Sequence, residues 1–330
     1  MYLSNLFKPE SVIRNSSFHR ALRGHHDLRG SGSVKFSVKN YSSFTMSDKL
    51  KEMPVFYNKN QCVNDDMGYS PSAKKPKLVV QAWKQLGYPL TIHKIRALSI
   101  EEIAVAHDLN YVKGILSTKL NNGFGNKSPD VAKSLQWTTG SFFCAAVHAY
   151  LQKCNTFSPT SGFHHAGYNY ANGFCTFNGL TIAAVLLKKQ YRAQRIGILD
   201  LDAHAGDGTE HIIDKTNCRD FVTHYSLGYH DIQKHNNAEW LENLPNLIRQ
   251  HFAECDVLFY QAGVDCHEDD PEVYSGHFTT AQIYTRDKLV YATCSELKIP
   301  VVTNLAGGYQ KPFQKIIDLH NLTAKAFQDS

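Results

Sequence analysis

Arg195-Ile-Gly-Ile-Leu-Asp-Leu-Asp-Ala-His204 is the stretch that decides the fold of this chain. Its apolar part is typical of a buried strand, and Asp202 and His204 follow where that strand ends. Residues i and i+2 of an extended chain point to the same side, so both side chains can reach one ion. Gly206-Asp-Gly208 then predicts a turn into a helix, which is where open parallel sheets bind ligands. The stretch indicates a metal site, although a turn with a capping Asp has the same pattern.

Two further apolar runs end in polar residues in the same way. Asp256-Val-Leu-Phe-Tyr-Gln-Ala262 leads into Asp265, and Pro300-Val-Val-Thr-Asn-Leu305 leads into Ala306-Gly-Gly-Tyr309. Because the carboxyl ends of parallel strands meet at one edge of a sheet, we expect the three ends to converge. Two Asp and one His with an open fourth position are typical of a catalytic zinc ion, since structural zinc sites are usually closed by Cys or His.

Helical patterns alternate with these strands from about residue 95 onward. Ser99-x-x-Glu102 is a capping box that opens a helix, and further helical patterns cover 181–189, 239–254 and 280–297. Strand alternating with helix predicts an α/β fold, with a single three-layer domain in which a mainly parallel β-sheet carries helices on both faces.

Five segments of the chain match, in order, the motifs of one enzyme family. They are Gly162-Phe-His-His-Ala166, Gly173-Phe-Cys-Thr-Phe-Asn178, Asp200-Leu-Asp-Ala-His-Ala-Gly-Asp-Gly208, Gly263-Val-Asp265 with Asp270-Pro271, and Gly307-Gly-Tyr309. In these motifs the chain resembles the histone deacetylase family, with its acetylpolyamine amidohydrolase and acetoin-utilisation relatives. The resemblance covers roughly residues 54 to 328 and implies an arginase/deacetylase-like fold.

The resemblance implies three metal ligands, Asp202, His204 and Asp265, which would hold Zn²⁺ or, as the alternative, Fe²⁺. A water on that metal would be the nucleophile, because bound zinc lowers the pKa of water toward ~7. Family members also hold K⁺ as a structural ion through backbone carbonyls around Asp200, Asp202 and His204. Backbone ligands leave no signal in a sequence, so K⁺ is implied by the resemblance alone.

The catalytic residues follow from the same resemblance. His165 would be the general base and then the acid, with His164 as its electrostatic partner. Asp200 would hold His164, and Asp207 would hold His165, which fixes the tautomer of each imidazole. Tyr309 would donate a hydrogen bond to the oxyanion opposite the metal.

Substrate contacts are implied for a narrow tunnel that clasps an aliphatic stem. Gly173 and Phe174 would form one wall and Tyr229 the other, and Gly308 is assigned to the substrate as well. Ordinary core packing is the competing interpretation of both aromatic residues. Glu272 stands just after the Asp-Pro pair, where the polyamine-selective branch carries a Glu that favours a cationic chain.

The chain also departs from the family pattern at its rim. Ala205 follows His204 where many members have a second His, but that position is not a ligand. The loop Asn122-Gly-Phe-Gly-Asn126 lacks the Asp with which many lysine deacetylases hold the substrate backbone, so peptide positioning is in doubt.

Several functions stay open on these residues. Deacetylation of acetyl-lysine in proteins is the first choice, and deacetylation of acetylpolyamines is the second. An arginase-like binuclear site would need another Asp where Gly206 stands, although His267 could partly replace it. A non-catalytic acyl-lysine-binding scaffold is the remaining alternative, yet no ligand or catalytic residue is missing.

Composition agrees with an enzyme that works in a reducing compartment such as the cytoplasm. The 330 residues are 42% hydrophobic and 20% charged, which suffices for a sizeable core. No stretch is apolar for long enough to cross a membrane, and the eight cysteines form no Cys-x-x-Cys pair. We expect no direct nucleic-acid binding by the catalytic region, and the sequence does not predict an oligomeric state.

Residues 1–50 differ from the rest and are expected to form a basic, flexible extension, with the catalytic domain at 51–330. Residues 1–52 contain nine Lys or Arg against four Asp or Glu, a difference of +5 that equals the formal net charge of the whole chain. Such an acid-poor segment is also typical of organelle targeting, of nuclear access or of a partner-binding arm.

Overall fold

Seven strands lie side by side and all run parallel in the part of the chain that this computed structural model describes, residues 50–63 and 70–330. The sheet order is β2-β1-β3-β7-β6-β4-β5. The strands are β1 (Met53–Phe56), β2 (Leu90–His93), β3 (Thr156–Ser158), β4 (Ile196–Asp200), β5 (Val222–Ser226), β6 (Val257–Gly263) and β7 (Val301–Ala306). The predicted parallel sheet is confirmed, and the basic extension predicted for residues 1–50 lies outside the described residues except for Leu50.

Helices connect the strands, as parallel crossovers require. They are α1 (Lys75–Gln85), α2 (Ile100–Ile103), α3 (Leu109–Leu116), α4 (Pro129–Gln152), α5 (Gly179–Leu186), α6 (Asp207–Lys215), α7 (Asn237–Phe252), α8 (Thr280–Glu296) and α9 (Gln314–Gln328). The capping box of Ser99 and Glu102 opens α2 as predicted. Within the described residues, no helix is both long enough and apolar enough to cross a membrane.

Side chains of each central strand alternate between two hydrophobic clusters. In β6, Val257 and Phe259 belong to the cluster that contains α3, α4 and α5, whereas Leu258 and Tyr260 belong to the cluster that contains α1, α7, α8 and α9. Every residue of β6 is buried. Because successive side chains of a strand point to opposite faces, this alternation confirms a three-layer arrangement with helices on both faces of the sheet.

Polar residues lie in register where three central strands end. Asp200 of β4 pairs with Gln261 of β6, which pairs with Asn304 of β7. All three side chains are fully buried. The sheet therefore places a row of polar groups inside the core, just below the loops that follow the strands.

A buried histidine between α2 and α3 joins two parts of the loop that connects β3 to α5. The Nδ1 atom of His107 donates to the carbonyl of Gly167 (2.9 Å), and its Nε2 atom accepts from the backbone N–H of Asn178 (2.8 Å). Burial lowers the pKa of His107 to about 4. The neutral ring is the required form, because a protonated Nε2 could not accept the hydrogen bond from Asn178.

The long helix α4 passes directly over the segment that precedes α2. A Cβ atom on Gly140 would lie 1.9 Å from the carbonyl oxygen of Arg96. The segment cannot move away easily, since Leu98 N–H donates to the carbonyl of Gln136 and the Gln136 amide donates back to the carbonyl of Leu98, at 2.9 and 2.7 Å. Position 140 therefore requires glycine, because one backbone segment packs closely on the other.

We expect Gly140→Ala to lower the free energy of unfolding by about 1–3 kcal/mol, the usual cost of overpacking. Alanine normally stabilises the interior of a helix by about 1 kcal/mol relative to glycine. We expect the opposite effect here, because the atoms that the new Cβ would clash with belong to the backbone. Gly114→Ala in α3 is the matched control, since its Cβ would meet only the exposed Leu120 side chain. Urea unfolding measures both, and equal effects of the two substitutions would contradict the packing argument.

The lowered pKa of His107 predicts a pH dependence of stability. Its pKa is about 4 in the folded chain against 6.5 for the free side chain, so the unfolded state binds more protons between these values. The contribution of His107 is thus complete above about pH 6.5 and is lost as the pH falls toward 4. We expect a smaller slope of unfolding free energy between pH 5 and 6.5 in His107→Gln, whose amide keeps a donor and an acceptor. An unchanged slope would show that His107 is not the titrating group.

Candidate active site

The three predicted metal ligands come together at the ends of β4 and β6. The ligand atoms of Asp202, His204 and Asp265 all lie within 4.8 Å of one another. His204 Nδ1 is 3.2 Å from Asp202 Oδ1 and 3.1 Å from Asp265 Oδ2. The backbone N–H of Ala203 donates to Asp265 Oδ1 at 3.0 Å, which ties the two strand ends together.

The charges of these groups fit a divalent cation. Asp202 and Asp265 are almost completely buried, at 2% and 0% exposure, and two buried carboxylates cannot both stay ionised without compensation. Burial and then the charge of Asp202 raise the pKa of Asp265. Hydrogen bonds to the two carboxylates raise the pKa of His204 to about 11. A cation held by two carboxylates and one imidazole would remove the causes of the raised pKa of Asp265 and of His204. The donor set therefore suits Zn²⁺ or Fe²⁺.

The two histidines of the loop after β3 each form a hydrogen bond with a carboxylate. His164 Nδ1 lies 2.7 Å from Asp200 Oδ2, and His165 Nδ1 lies 2.7 Å from Asp207 Oδ1. The rings of the two histidines are 4.1 Å apart, and that of His165 is 5.9 Å from the ring of His204. The structure thus brings the predicted dyads together beside the metal ligands.

The environments of the two imidazoles differ. Burial would lower the pKa of His164, but the charges of Asp200 and Asp202 outweigh burial and raise it to about 9. His165 is more accessible, with 19% of its side chain exposed against 3% for His164. The more accessible imidazole is the one that can exchange protons with a substrate, and the buried one adds positive charge next to it.

Tyr309 lies in the same pocket, on the loop after β7. Its backbone N–H donates to Asp270 Oδ2 at 2.8 Å, and Asp270 Oδ1 accepts from the N–H of Glu272 at 3.0 Å. Burial, reinforced by the charge of Asp265, raises the pKa of the Tyr309 phenol. The phenol therefore stays protonated and is available as a hydrogen-bond donor.

One wall of the pocket is a loop with strained backbone. Gly173 has φ +51°, and a Cβ there would lie 2.3 Å from Cδ2 of His165. Phe174 also has a positive φ, of 63°, a conformation that costs a non-glycine residue of order 1–3 kcal/mol. The Phe174 ring centroid lies 6.0 Å from that of Tyr309. The predicted wall residues thus stand directly over the imidazole and the phenol.

The acid-free rim loop supports this strained wall. Gly123 accepts from the N–H of Phe174 at 3.1 Å, and its own N–H donates to Thr176 Oγ1 at 2.9 Å. The Phe124 ring lies 5.8 Å from the ring of Phe174. The loop at 122–126 therefore packs against the wall formed by Gly173 and Phe174. In place of a carboxylate it carries asparagine side chains and the aromatic ring of Phe124.

The pocket has a volume of about 290 Å³ when the open space at its mouth is included. Its lining consists of Ser72, Ser161, Gly162, His164, His165, Gly173, Phe174, Cys175, Asp202, His204, Gly307 and Tyr309. A larger, mostly apolar cavity of about 550 Å³ shares Ser161, Gly162 and Phe174 with this wall. The reacting groups thus face a confined space with apolar volume beside it.

The remaining residues predicted to contact the substrate, Tyr229, Glu272 and Gly308, do not line this pocket. Tyr229 is 53% exposed, and burial followed by the charges of Glu210 and Asp207 raises its pKa to about 12, which places it near the carboxylate of the His165 dyad. Glu272 is exposed on the loop after Asp270. A Cβ on Gly308 would meet Ile316 and Val264, so Gly308 faces α9 while Gly307 lines the pocket.

Two buried residues of the site escaped sequence reasoning. Gln261 donates to Asp200 Oδ1 at 2.9 Å and accepts from the N–H of Phe163 at 3.0 Å, so it links β4 to the histidine loop. Lys75 is fully buried and donates to the carbonyl of Gly307 at 2.6 Å. Burial lowers the pKa of Lys75 to about 8. A lysine within the basic run Lys74-Lys-Pro-Lys77 gives no sequence signal for this position.

The structure argues against a second, arginase-like metal ion. His267 Nδ1 accepts from the N–H of Asp269 at 3.0 Å, and Nε2 lies 2.9 Å from Thr280 Oγ1. Both nitrogens are therefore used by their own loop. Among the described residues, the only grouped set of ligand side chains is the one that contains His204. The K⁺ ion remains a prediction.

Several known proteins are similar to this chain. Residues 71–231 match the family model of the histone deacetylase domain. An uncharacterised protein of Picosynechococcus is 32% identical over 190 residues, 53% of this chain and 62% of that protein. Histone deacetylase 2 of Arabidopsis thaliana is 28% identical over 47% of this chain and 44% of its own length. Polyamine deacetylase HDAC10 of Danio rerio is 30% identical over 37% and 20%. The chain spans less than two thirds of each of these curated relatives.

A solved structure, the crystal structure of the HDA15 HD domain, has the same fold. Its TM-score is 0.67 with 16% identity, over 85% of this chain and 87% of that one. The seven-stranded parallel sheet, the matched domain model and the named relatives lead to one assignment. The chain belongs to the histone deacetylase family.

Proposed function

We propose that this protein is a metal-dependent deacetylase that hydrolyses the acetamide of acetyl-lysine in proteins. The observation that carries the proposal is a pocket whose lining includes His165, Tyr309 and two of the predicted metal ligands, Asp202 and His204. Asp207 is hydrogen-bonded to His165, and Asp265 completes the ligand set. Hydrolysis of an amide needs a proton acceptor, a Lewis acid and an oxyanion donor at one place. The family assignment supports the same chemistry, with acetyl or a related short acyl group as the part removed.

The residues of the chain suit the proton steps. When bound, zinc would supply Lewis acidity, which makes water more acidic and a carbonyl carbon more electrophilic. Because His165 Nδ1 donates to Asp207, its Nε2 is free to take a proton from water as the water oxygen bonds to the carbonyl carbon. The same proton then passes to the amine nitrogen as the C–N bond breaks, which gives acetate and the free amine.

Tyr309 and His164 would stabilise charge in these steps. The Tyr309 phenol is held protonated by burial, so it would donate to the oxygen on which negative charge develops. His164 shares its Nδ1 proton with Asp200 and is buried beside His165. Its charge would favour the negatively charged transition state without exchanging protons with solvent.

An acetylated polyamine is the second candidate substrate. Glu272 is exposed on the loop that Asp270 anchors to Tyr309, and a negative charge at that position would attract a cationic chain. One relative is named a polyamine deacetylase. The rim loop without an acid also removes one means of holding a peptide backbone. A non-catalytic scaffold is less favoured, because no predicted metal ligand or catalytic residue is missing from the chain.

The cellular setting is part of the proposal. All eight cysteines are free thiols, and five of them are buried. Free thiols persist in a reducing compartment, which supports a cytoplasmic location. Organelle or nuclear targeting by residues 1–50 stays an alternative that lies outside the described residues.

Tyr309→Phe tests for catalysis. Loss of one oxyanion donor commonly lowers turnover by about 100- to 1000-fold, and we expect that loss with acetyl-lysine peptides while zinc affinity is unchanged. Tyr274→Phe is the matched control, because Tyr274 is 66% exposed and lies outside the pocket lining. Initial rates and chelator competition provide the two measurements. Full turnover in Tyr309→Phe would refute the assigned role, and an inactive wild-type protein that binds acetyl-lysine would indicate the scaffold.

Relative turnover of an acetyl-lysine peptide and acetylspermidine identifies the substrate class. We expect the peptide to have the higher kcat/KM. If Glu272 contacts a cationic chain, Glu272→Leu should lower kcat/KM for acetylspermidine by up to about 5-fold, since an exposed ion pair contributes ~0.2–1 kcal/mol. The peptide should be little affected. Glu242→Leu, an exposed change on α7, is the control, and an unchanged ratio in Glu272→Leu would exclude Glu272 from substrate selection.

A further inference from the structure

A fully buried ion pair lies on α8, beneath the candidate metal site. Arg286 and Asp287 are both 0% exposed. Asp287 Oδ1 accepts from Arg286 Nε at 2.8 Å and from the hydroxyl of Tyr260 at 2.5 Å. The neighbouring buried positions of the helix, Ile283 and Val290, are apolar. The ion pair is therefore set into an otherwise hydrophobic contact between α8 and the sheet.

The guanidinium reaches the ends of both strands that carry metal ligands. Its Nη1 donates to the carbonyl of Leu201 at 3.1 Å and to the carbonyl of Gly263 at 2.7 Å. Leu201 directly precedes Asp202, and Gly263 stands two residues before Asp265. One side chain thus bonds the backbone next to two of the three ligands.

This contact begins where the sheet stops holding the strands together. The last register pair of β4 and β6 is Asp200 with Gln261, and Leu201 N–H still donates to the carbonyl of Gln261 at 3.1 Å. Beyond it, Arg286 supplies hydrogen bonds to the next carbonyl of each strand. The guanidinium therefore extends the connection between β4 and β6 up to the ligands.

Stabilisation of the fold alone does not explain why this ion pair is buried. Burying two charges costs several kcal/mol per ion, and apolar residues of similar volume are often equally stabilising or better. Asp287 Oδ2 is buried without a hydrogen-bond partner among the described residues, so the carboxylate is not even fully satisfied. What apolar side chains could not supply is the pair of hydrogen bonds to the two strand ends.

We propose that Arg286, oriented by Asp287 and Tyr260, is a positioning residue that holds the ends of β4 and β6 at the spacing required for metal binding by Asp202 and Asp265. The inference rests on the proposed metal site but not on the identity of the substrate. Partners that orient ligands in this indirect way typically change metal affinity by about 10- to 100-fold.

The decisive variant replaces the whole network, Arg286→Met with Asp287→Leu and Tyr260→Phe, so that no charge or hydroxyl is left buried alone. We expect a cooperatively unfolding protein whose Zn²⁺ affinity, measured by chelator competition, falls by about 10- to 100-fold. The visible absorption spectrum of the Co²⁺ form should also change, because it depends on the arrangement of the ligands. Wild-type affinity and spectrum in this variant would overturn the proposal.

Arg286→Lys provides a second test should the triple variant not fold. It keeps the charge and the carboxylate partner but lacks the planar guanidinium that serves two carbonyls and a carboxylate together. We expect weaker Zn²⁺ binding and an altered Co²⁺ spectrum here too, and wild-type values would overturn the proposal. Arg249→Gln with Glu296→Gln removes an exposed ion pair, 2.6 Å long, between α7 and α8. This control should bind Zn²⁺ as the wild type does.

The outcomes separate this inference from the proposed function. A wild-type protein that binds Zn²⁺ but does not hydrolyse acetamides would refute the deacetylase, and the affinities of the variants would still decide the role of Arg286. A wild-type protein that binds neither Zn²⁺ nor Co²⁺ would overturn both. Loss of turnover in the triple variant with normal metal affinity and spectrum would also count against the positioning role.

Discussion

Two carboxylates, Asp202 and Asp265, are buried beside each other, and much of the molecule serves to make that arrangement tolerable. Ionised groups lose several kcal/mol of hydration when buried, so neighbouring groups must supply the compensation. His204 lies between the two carboxylates, the N–H of Ala203 donates to the other oxygen of Asp265, and His164 adds a buried positive charge. A divalent cation would add to this compensation, so the site has an electrostatic reason to bind one.

The main strands and helices can be predicted from the sequence, because each is indicated by residues that are close together along the chain. Apolar runs bounded by polar residues predicted β4, β6 and β7 to within about one residue, and the helical periods at 239–254 and 280–297 correspond to α7 and α8. The ligand set and the dyads followed from motifs on the loops after those strands. Parallel sheets bring such loops to one edge, so correctly predicted strands were enough to expect these residues close together, as the structure has them.

The buried supports could not be predicted in the same way. Gln261, Lys75 and Arg286 act on groups that are distant in sequence, for example 232 residues apart for Lys75 and Gly307. A polar residue inside an apolar strand or helix looks like an exception to the pattern, and only the folded contacts reveal its partner. Asp270 was visible as part of a motif, but its hydrogen bonds to Tyr309 and Glu272 depend on a turn that the motif does not specify.

The place of β7 in the sheet has a consequence for how the chain reaches its native state. β7 is the last strand in sequence, yet it lies between β3 and β6 and is bonded to both. Until residues 301–306 have left the ribosome, the two halves of the sheet have no shared neighbour, and the edges of β3 and β6 stay open. Pairings between such distant segments form slowly, and open edges favour association with other chains. Synthesis and early folding of this protein therefore depend on protection of a sheet that is divided until its final strand arrives.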